Sequence, residues 1–443
     1  MATQLFGAKI TGVGTATQGL RKVTNQDIAT TLQEHKEKAR AWWLTDEARI
    51  WWDKNDDNVQ QLWRQFLKSY EKKDKSGFLK SKEELSEEER INLFDELVGQ
   101  QFETSDEWIK ENIGVETRFF VEHEGISTVD LAEDAARQAM QMAGLEPSDI
   151  NGIFLASVTP PHLYSPPASG ILQERLGIPI SDEKGMRSFS FVDVNEACSS
   201  FIVALKLAYQ EIHLGIAKNV LVIGADVMSS TITPYNRTFY PILGDAGRAL
   251  VLQRVPLEED SFSLKQFYTH LNGKLAHLIM TPAGGSKKCI TEETLLNPFD
   301  QGHKLQMQGP LVRKHAEKIL ISKNPQRWNQ TVILKALEHE GWPINTKEEV
   351  ARALNSFQLF TAHQANFSSI NKPVEEILRF LGYEGLFFDT MSYEGNTTSA
   401  SVVGCIIDAA QAGVLKPGMI VNAVVFGGGF TGGAAKFKWT LAL

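Results

Sequence analysis

Unbroken apolar runs alternate along most of this chain with stretches whose apolar positions recur at helical spacing. "AKITGVGT" (8–15) predicts a buried strand closed by a glycine turn. "INGIFLASVT" (150–159) and "NVLVIGAD" (219–226) are almost continuously apolar, as strands covered on both faces are. "DLAEDAARQAMQMAGL" (130–145) predicts a helix that stops at Gly144. Strands and helices in alternation predict stacked α/β layers.

One interval breaks this rhythm. Residues 30–98 are dense in charge and hold five of the nine tryptophans, Trp42, Trp43, Trp51, Trp52 and Trp63. Val59, Leu62, Trp63, Phe66, Leu67 and Tyr70 recur as one helical stripe. Ser86 with Glu89 fits a capping box, and "TSDEWIKENIG" offers a second, Thr104 with Glu107. The interval reads as a helical insertion. Its stripe suits packing against the body ahead of a role as a cap or docking face.

A weak repeat appears further on. Gly215 and Lys218 follow Cys198 at distances of 17 and 20 residues, and Gly413 and Lys416 follow Asn396 at the same distances. Both intervals run helix, turn, strand. This predicts a duplicated unit with Cys198 and Asn396 at equivalent points.

Composition narrows the class. The chain has 443 residues, 42% hydrophobic and 22% charged, enough for a substantial core. A net charge of −9 argues against a nucleic-acid binder. No apolar run is long enough to span a membrane, and the first residues lack the regions of a signal peptide. Three dispersed cysteines form neither a disulfide framework nor a metal motif, so a reducing compartment, the cytoplasm, is expected.

Three residues carry candidate chemistry. Cys198 in "VDVNEACSSFIVALKLAYQEI" lies between a predicted strand and a predicted helix. A thiol at a helix N-terminus feels the positive end of the dipole, which favours thiolate, the nucleophile. Cys289 and Cys405 lack that setting. His363 follows a short apolar strand in "FQLFTAHQANFSSI", and Asn396 sits in "YEGNTTSAS". Each also has an ordinary reading: a packed small residue, an imidazole held by local backbone, a helix cap. "FGGGFTGG" satisfies G-x-G-x-x-G at Gly427, Gly429 and Gly432, but the chain ends before the helix and strand a dinucleotide site needs. Tight backbone beside a site, with an N–H aimed at an oxyanion, explains these glycines better.

Taken together, "DVNEACSSF", "HQAN" (His363 to Asn366), "EGNTTSAS", "TSDEWI", "GDAGRALVL" and "FGGGFTGGAAKFKW" resemble the thiolase-fold condensing enzymes, most closely β-ketoacyl-ACP synthase III. The resemblance spans nearly everything except residues 30–98 and a stretch near 320–350. It implies an α/β thiolase fold of two pseudo-duplicated βαβαβ halves in five layers (αβαβα). The halves are expected at residues 1–260, carrying the nucleophile, and 261–443, carrying His363 and Asn396. It also implies a homodimer.

The same resemblance implies the chemistry. Cys198 takes an acyl group from a thioester of coenzyme A or acyl carrier protein, its oxyanion held by the N–H groups of Cys198 and of Gly428 or Gly429. A malonyl-type thioester then loses carbon dioxide beside His363 and Asn396 and attacks the acyl-cysteine. Trp108, Tyr164, Asn366 and Phe430 are the implied substrate-binding residues. No metal or permanently bound cofactor is implied. The product would serve fatty-acid or specialised-metabolite assembly.

Departures from the family pattern touch the surroundings. Ser368 stands where a basic residue is usual, Glu375 and Glu376 replace basic carrier-docking positions beside Lys372 and Arg379, and Asn112 replaces an arginine. Phe430-Thr431-Gly432-Gly433 lacks a bulky residue. Glu196, usually small, is a candidate modulator of the thiol. Three other outcomes stay open: acyl transfer to a hydroxyl or amine, non-decarboxylative joining of two chains, and a non-enzymatic assembly subunit.

Overall fold

The apolar runs become the inner strands of two sheets. The protein is described here by a computed structural model covering residues 4–48, 86–97, 99–182, 185–186, 189–237, 239–291, 295 and 302–443. Strands β1 (Gly7–Thr15), β2 (Gly152–Ala156), β3 (Ser190–Val194), β4 (Asn219–Asp226) and β5 (Ala246–Val255) form the first sheet, ordered β1-β5-β4-β2-β3. Strands β6 (Phe267–Leu271), β7 (Leu359–Ala362), β8 (Leu386–Phe387), β9 (Ile420–Gly427) and β10 (Thr431–Lys438) form the second, ordered β6-β10-β9-β7-β8. In both sheets the first two pairings are antiparallel and the last two parallel. The two halves therefore share one topology.

Alternation along the central strands explains the layers. In β4, Val220 and Val222 face the space between the sheets, while Leu221, Ile223 and Ala225 face an outer layer that holds helix Thr128–Ala143. In β9, Val421, Ala423 and Val425 face inward, while Val424 and Phe426 meet helices Val332–Glu340, Lys347–Leu354 and Lys372–Phe380. Helices Ser200–His213 and Ser401–Gln411 fill the middle through Phe201, Leu205, Val402 and Ile406. Every layer covers an apolar face that water would otherwise meet; truncating a residue such as Phe201 to alanine would cost about 3–5 kcal/mol. The order is αβαβα.

The repeat needs one correction. Gly215 and Gly413 both adopt positive φ just past the two inner helices, so the spacing holds there. At the other end, Ala197 (φ 50°) and Thr398 (φ 51°) each precede the helix by three residues. The structural match of Cys198 is therefore Ser399, not Asn396. The first inner helix has 14 residues and the second 11, so counting back from the glycines slips by three.

The inserted interval begins inside a helix. Helix Asn25–Trp43 is capped by Thr24 and runs through residue 30 without a break. It pairs with helix Glu87–Leu97 through Arg40 and Asp95 (2.7 Å) and through the rings of Trp43 and Phe94. Trp43 joins an apolar cluster with Phe102, Ile109, Met228, Ile242 and Leu243, so packing is its role. The Ser86–Glu89 capping box forms. The second does not form as expected: Ser105, not Thr104, accepts from the Trp108 N–H. The stripe from Val59 to Tyr70, with Trp51 and Trp52, lies outside the described residues.

Candidate active site

Cys198 follows β3 through a tight turn. Ala197 takes the left-handed conformation, and the Ser199 and Ser200 N–H groups bond to the Glu196 and Ala197 carbonyls. Thr431, at the start of β10, donates to the Glu196 carbonyl (3.2 Å) and contacts the Ser199 hydroxyl (2.9 Å), tying the turn to the second sheet. Two N–H groups reach the sulfur, that of Cys198 itself and that of Gly428. They are the pair a tetrahedral oxyanion would need.

The expected resting thiolate is not what this environment favours. Part of Cys198 opens on a cavity, but burial pushes its thiol up to about 12, and the Asp226 carboxylate pushes the same way. The two N–H groups oppose this only partly. A helix terminus contributes on the order of 0.3–1 kcal/mol, while desolvation of a charge shifts a pKa by up to several units. Desolvation wins, and the resting group is the neutral thiol.

His363 follows directly on β7, its N–H bonded to the Val424 carbonyl (2.8 Å). Nδ1 lies 2.7 Å from the Ser401 hydroxyl, and Phe426 meets the ring edge-on. Burial pulls its pKa down to about 3, with no carboxylate among the described residues to offset it. The imidazole is neutral, and Nε2 is left for the cavity that His363 lines.

Asn396 is held on both sides. Its backbone bonds to Ile242 and Gly244, and its Oδ1 accepts from the Thr398 N–H (2.9 Å). Gly395 before it has φ 66°, and a β-carbon there would stand 2.7 Å from the Ile242 carbonyl. With Oδ1 occupied, the Nδ2 donors remain. The residue is both a local cap and a donor to the site.

Cys198, His363, Asn396, Gly427 and Gly428 line one cavity of about 940 Å³. Val158, Met228, Phe239, Ile242, Leu243 and Phe426 supply apolar wall. Trp108, Asn112, Gln308, Arg313 and Asn366 also line it. The Arg237 guanidinium stacks over Trp108 at 4.9 Å. Neither Arg237 nor Arg313 is marked by local pattern; their position comes from packing between distant segments.

Other expected site residues are placed differently. Asn366 lines the cavity, but its amide is spent on the Ser369 N–H and the Asn112 carbonyl, which makes it a brace. Phe430 is no cavity wall: it is fully buried against Phe426 and His315. Gly429 forms the turn behind Gly428 and is not among the lining residues. Tyr164 is exposed, bonded to the Gly284 carbonyl, and absent from the lining. The Glu196 carboxylate is absent from it too; this residue contributes its backbone, donating to Ser200 and accepting from Thr431.

Comparison with known proteins supplies the family. Residues 192–273 match the family model of 3-oxoacyl-[acyl-carrier-protein (ACP)] synthase III, and residues 349–439 match that of its C-terminal part. The chain is 32% identical over 337 residues to the β-ketoacyl-[acyl-carrier-protein] synthase III of Campylobacter curvus, covering 76% of this chain and 90% of that protein. Its fold is similar to that of 3-oxoacyl-(acyl carrier protein) synthase III from Pseudomonas aeruginosa, with a TM-score of 0.66, 20% identity and 99% of each chain covered. It is also similar to the priming β-ketosynthase of the R1128 polyketide pathway, with a TM-score of 0.67, 17% identity, and 100% of this chain and 99% of that one covered. By its sequence and its two-sheet core, the chain belongs to the β-ketoacyl-[acyl-carrier-protein] synthase III family of condensing enzymes.

Proposed function

We propose that the chain loads an acyl group onto Cys198 and condenses it with a malonyl-type thioester. One observation carries this reading: a thiol, two backbone N–H donors, a neutral imidazole and a carboxamide share one largely apolar cavity. In the first step Cys198 Sγ bonds to the thioester carbon, and the Cys198 and Gly428 N–H groups hold the oxyanion. The donor's thiol leaves with the proton that Cys198 gives up. In the second step the malonyl thioester loses carbon dioxide, and charge gathers on its carbonyl oxygen. His363 and Asn396 hydrogen-bond that oxygen. The resulting carbanion attacks the acyl-cysteine, forms a carbon–carbon bond and frees the Cys198 thiolate, which regains a proton.

Trp108 and Arg237 together offer a flat cationic platform suited to the adenine of coenzyme A, which makes acyl-coenzyme A the favoured first donor. Acyl carrier protein thioesters are the alternative donor. No metal or permanent cofactor enters this scheme. Among the described residues no helix is long and apolar enough to cross a membrane. The three free cysteines suit the reducing cytoplasm.

A second copy of the chain completes the assembly we propose. Among the described residues strand β3 is a sheet edge, yet Phe191 and Val192 on it are 50% and 37% exposed, and Met186 nearby is 92% exposed. An exposed apolar edge is covered in stable proteins. A homodimer across β3 would cover it.

Intact-protein mass spectrometry tests the reading. Incubation with acyl-coenzyme A should add one acyl mass to the wild type and none to Cys198→Ala. Malonyl thioester should then discharge the adduct as a β-ketoacyl product. Discharge by an alcohol or amine instead would establish acyl transfer to those acceptors. No adduct with any donor would leave only an assembly role.

A further inference from the structure

The hydrogen-bond partner of His363 is a hydroxyl, and a hydroxyl can either donate or accept. Which it does decides whether the cavity meets an N–H or a lone pair on Nε2. Ser401 Oγ lies 2.7 Å from Nδ1, and both side chains are buried. Nδ1 is the one partner of that hydroxyl among the described residues.

Counting protons separates the two arrangements. If Nδ1–H donated to Oγ, the hydroxyl proton would be left buried with nothing to bond. If the hydroxyl donates to Nδ1, every buried proton has an acceptor, and the ring's own N–H faces the cavity. A buried donor left unpaired costs more than an unused lone pair.

A second feature favours the same arrangement. Ser401 opens helix Ser401–Gln411, and the positive end of a helix dipole prefers a lone pair to an N–H in front of it. Nothing on the ring opposes this. The ring also meets Phe426 edge-on, and no carboxylate among the described residues acts on it.

We propose that Ser401 is a positioning residue that sets the tautomer of His363, holding Nδ1 unprotonated and directing an Nε2–H into the cavity. The inference rests on the condensation reading for its consequence. With Nε2 protonated, His363 is a donor beside Asn396 Nδ2, aimed at the charge that develops during decarboxylation. It is not a base for the Cys198 thiol. The proton Cys198 loses goes to the departing thiolate, so acylation proceeds without the imidazole taking it. A carboxylate at position 401 would accept from Nδ1–H and impose the opposite tautomer.

The experiment is a solid-state nitrogen spectrum of the full chain carrying 15N at histidine Nδ1 alone. The His363 signal is identified by its loss in His363→Gln. In wild type and in Ser401→Thr, which keeps the hydroxyl, Nδ1 should be unprotonated. In Ser401→Asp, whose carboxylate accepts from Nδ1–H, a protonated Nδ1 should appear, and condensation should slow by roughly tenfold or more, as when one transition-state donor is lost. Acyl-Cys198 formation, read by mass, should stay within about threefold of wild type. A protonated Nδ1 in the wild type overturns the proposal, and so does a folded Ser401→Asp protein with unchanged tautomer and condensation rate. Should Ser401→Asp fail to fold, the wild-type and Ser401→Thr spectra decide. The spectrum needs no substrate, so a wild type that never acylates would defeat the functional reading and leave the tautomer assignment standing.

Discussion

Gly427 stands so close to Cys198 that a β-carbon on the glycine would lie 2.7 Å from the cysteine's backbone nitrogen. The same carbon would crowd the Thr431 hydroxyl at 2.9 Å and Ala197 at 3.2 Å. Its φ of −157° suits any residue, so the constraint is purely one of space. Gly427→Ala should displace the Cys198 N–H and lower the acylation rate roughly 100-fold, the order seen when an oxyanion donor is lost. Overpacking should also reduce stability by about 1–3 kcal/mol. Stopped-flow acylation with a chromogenic thioester, beside chemical denaturation, measures both. An unchanged acylation rate would show that this N–H does not hold the oxyanion.

His363 gives the fold an acid sensitivity with a defined sign. Its folded value, about 3, lies below the ordinary 6.5 because burial penalises the imidazolium. The unfolded chain takes up the proton first as pH falls. The stabilisation is therefore complete above about 6.5 and is lost progressively toward 3. Each pH unit below 6.5 should cost about 1.4 kcal/mol from this group. Between about pH 7 and about pH 5, wild type should lose about 2 kcal/mol more than His363→Gln. Urea unfolding at both values checks this; parallel losses would refute it.

Asp226 closes β4 as Gly427 closes β9, and its carboxylate takes the Ser399 N–H (2.9 Å). Ser399 is the structural match of Cys198. One half thus fills with a carboxyl group, its pKa raised by burial and its oxygens held by hydrogen-bond donors, the place that the other leaves open for a transient oxyanion. Asp226 also accepts from the Val158 and Thr159 N–H groups and from the Ser157 and Thr159 hydroxyls. Its charge raises the Cys198 thiol. Asp226→Asn should therefore speed iodoacetamide alkylation of Cys198 several-fold at about pH 8, while an amide facing N–H donors lowers stability by about 1–3 kcal/mol. Peptide mass mapping after timed alkylation reads the first effect. Equal alkylation rates in a folded variant would dismiss the electrostatic coupling.

The Trp108–Arg237 stack should serve binding and not chemistry. Arg237→Ala should raise KM for an acyl-coenzyme A roughly three- to fivefold, from a cation–π contribution of about 0.5–1 kcal/mol. The rate with a short thioester that lacks the nucleotide should not change. Steady-state kinetics with both donors makes the comparison. A loss seen equally with the short thioester would move Arg237 from nucleotide binding to a general structural role.

Much of this protein can be read in one dimension. Whether a strand is covered on one face or two shows in its apolar pattern, because each residue's face follows from backbone period. That is why 150–159 and 219–226 announce buried strands. Cys198 stands just before a helix and His363 just after a strand, ends that are legible from neighbouring residues, while Asn396 stands in the loop after helix Met391–Glu394. The repeat was legible too, though its register at Cys198 was not, because two helices of different length share one pattern.

What lay beyond the sequence depends on what packs against a side chain from far along the chain. A cysteine before a helix suggests thiolate, yet apolar walls and Asp226 leave it a thiol. Phe430 sits one residue past the glycine run that reaches the sulfur, yet it turns into the core against His315. Arg237 meets Trp108 across well over a hundred residues. Sequence determined the strands, the helices and the three reactive side chains, since those follow from local periodicity and residue chemistry. Tertiary structure alone decided protonation, the cavity wall and the partner of each polar atom, since desolvation and contact are properties of neighbours in space.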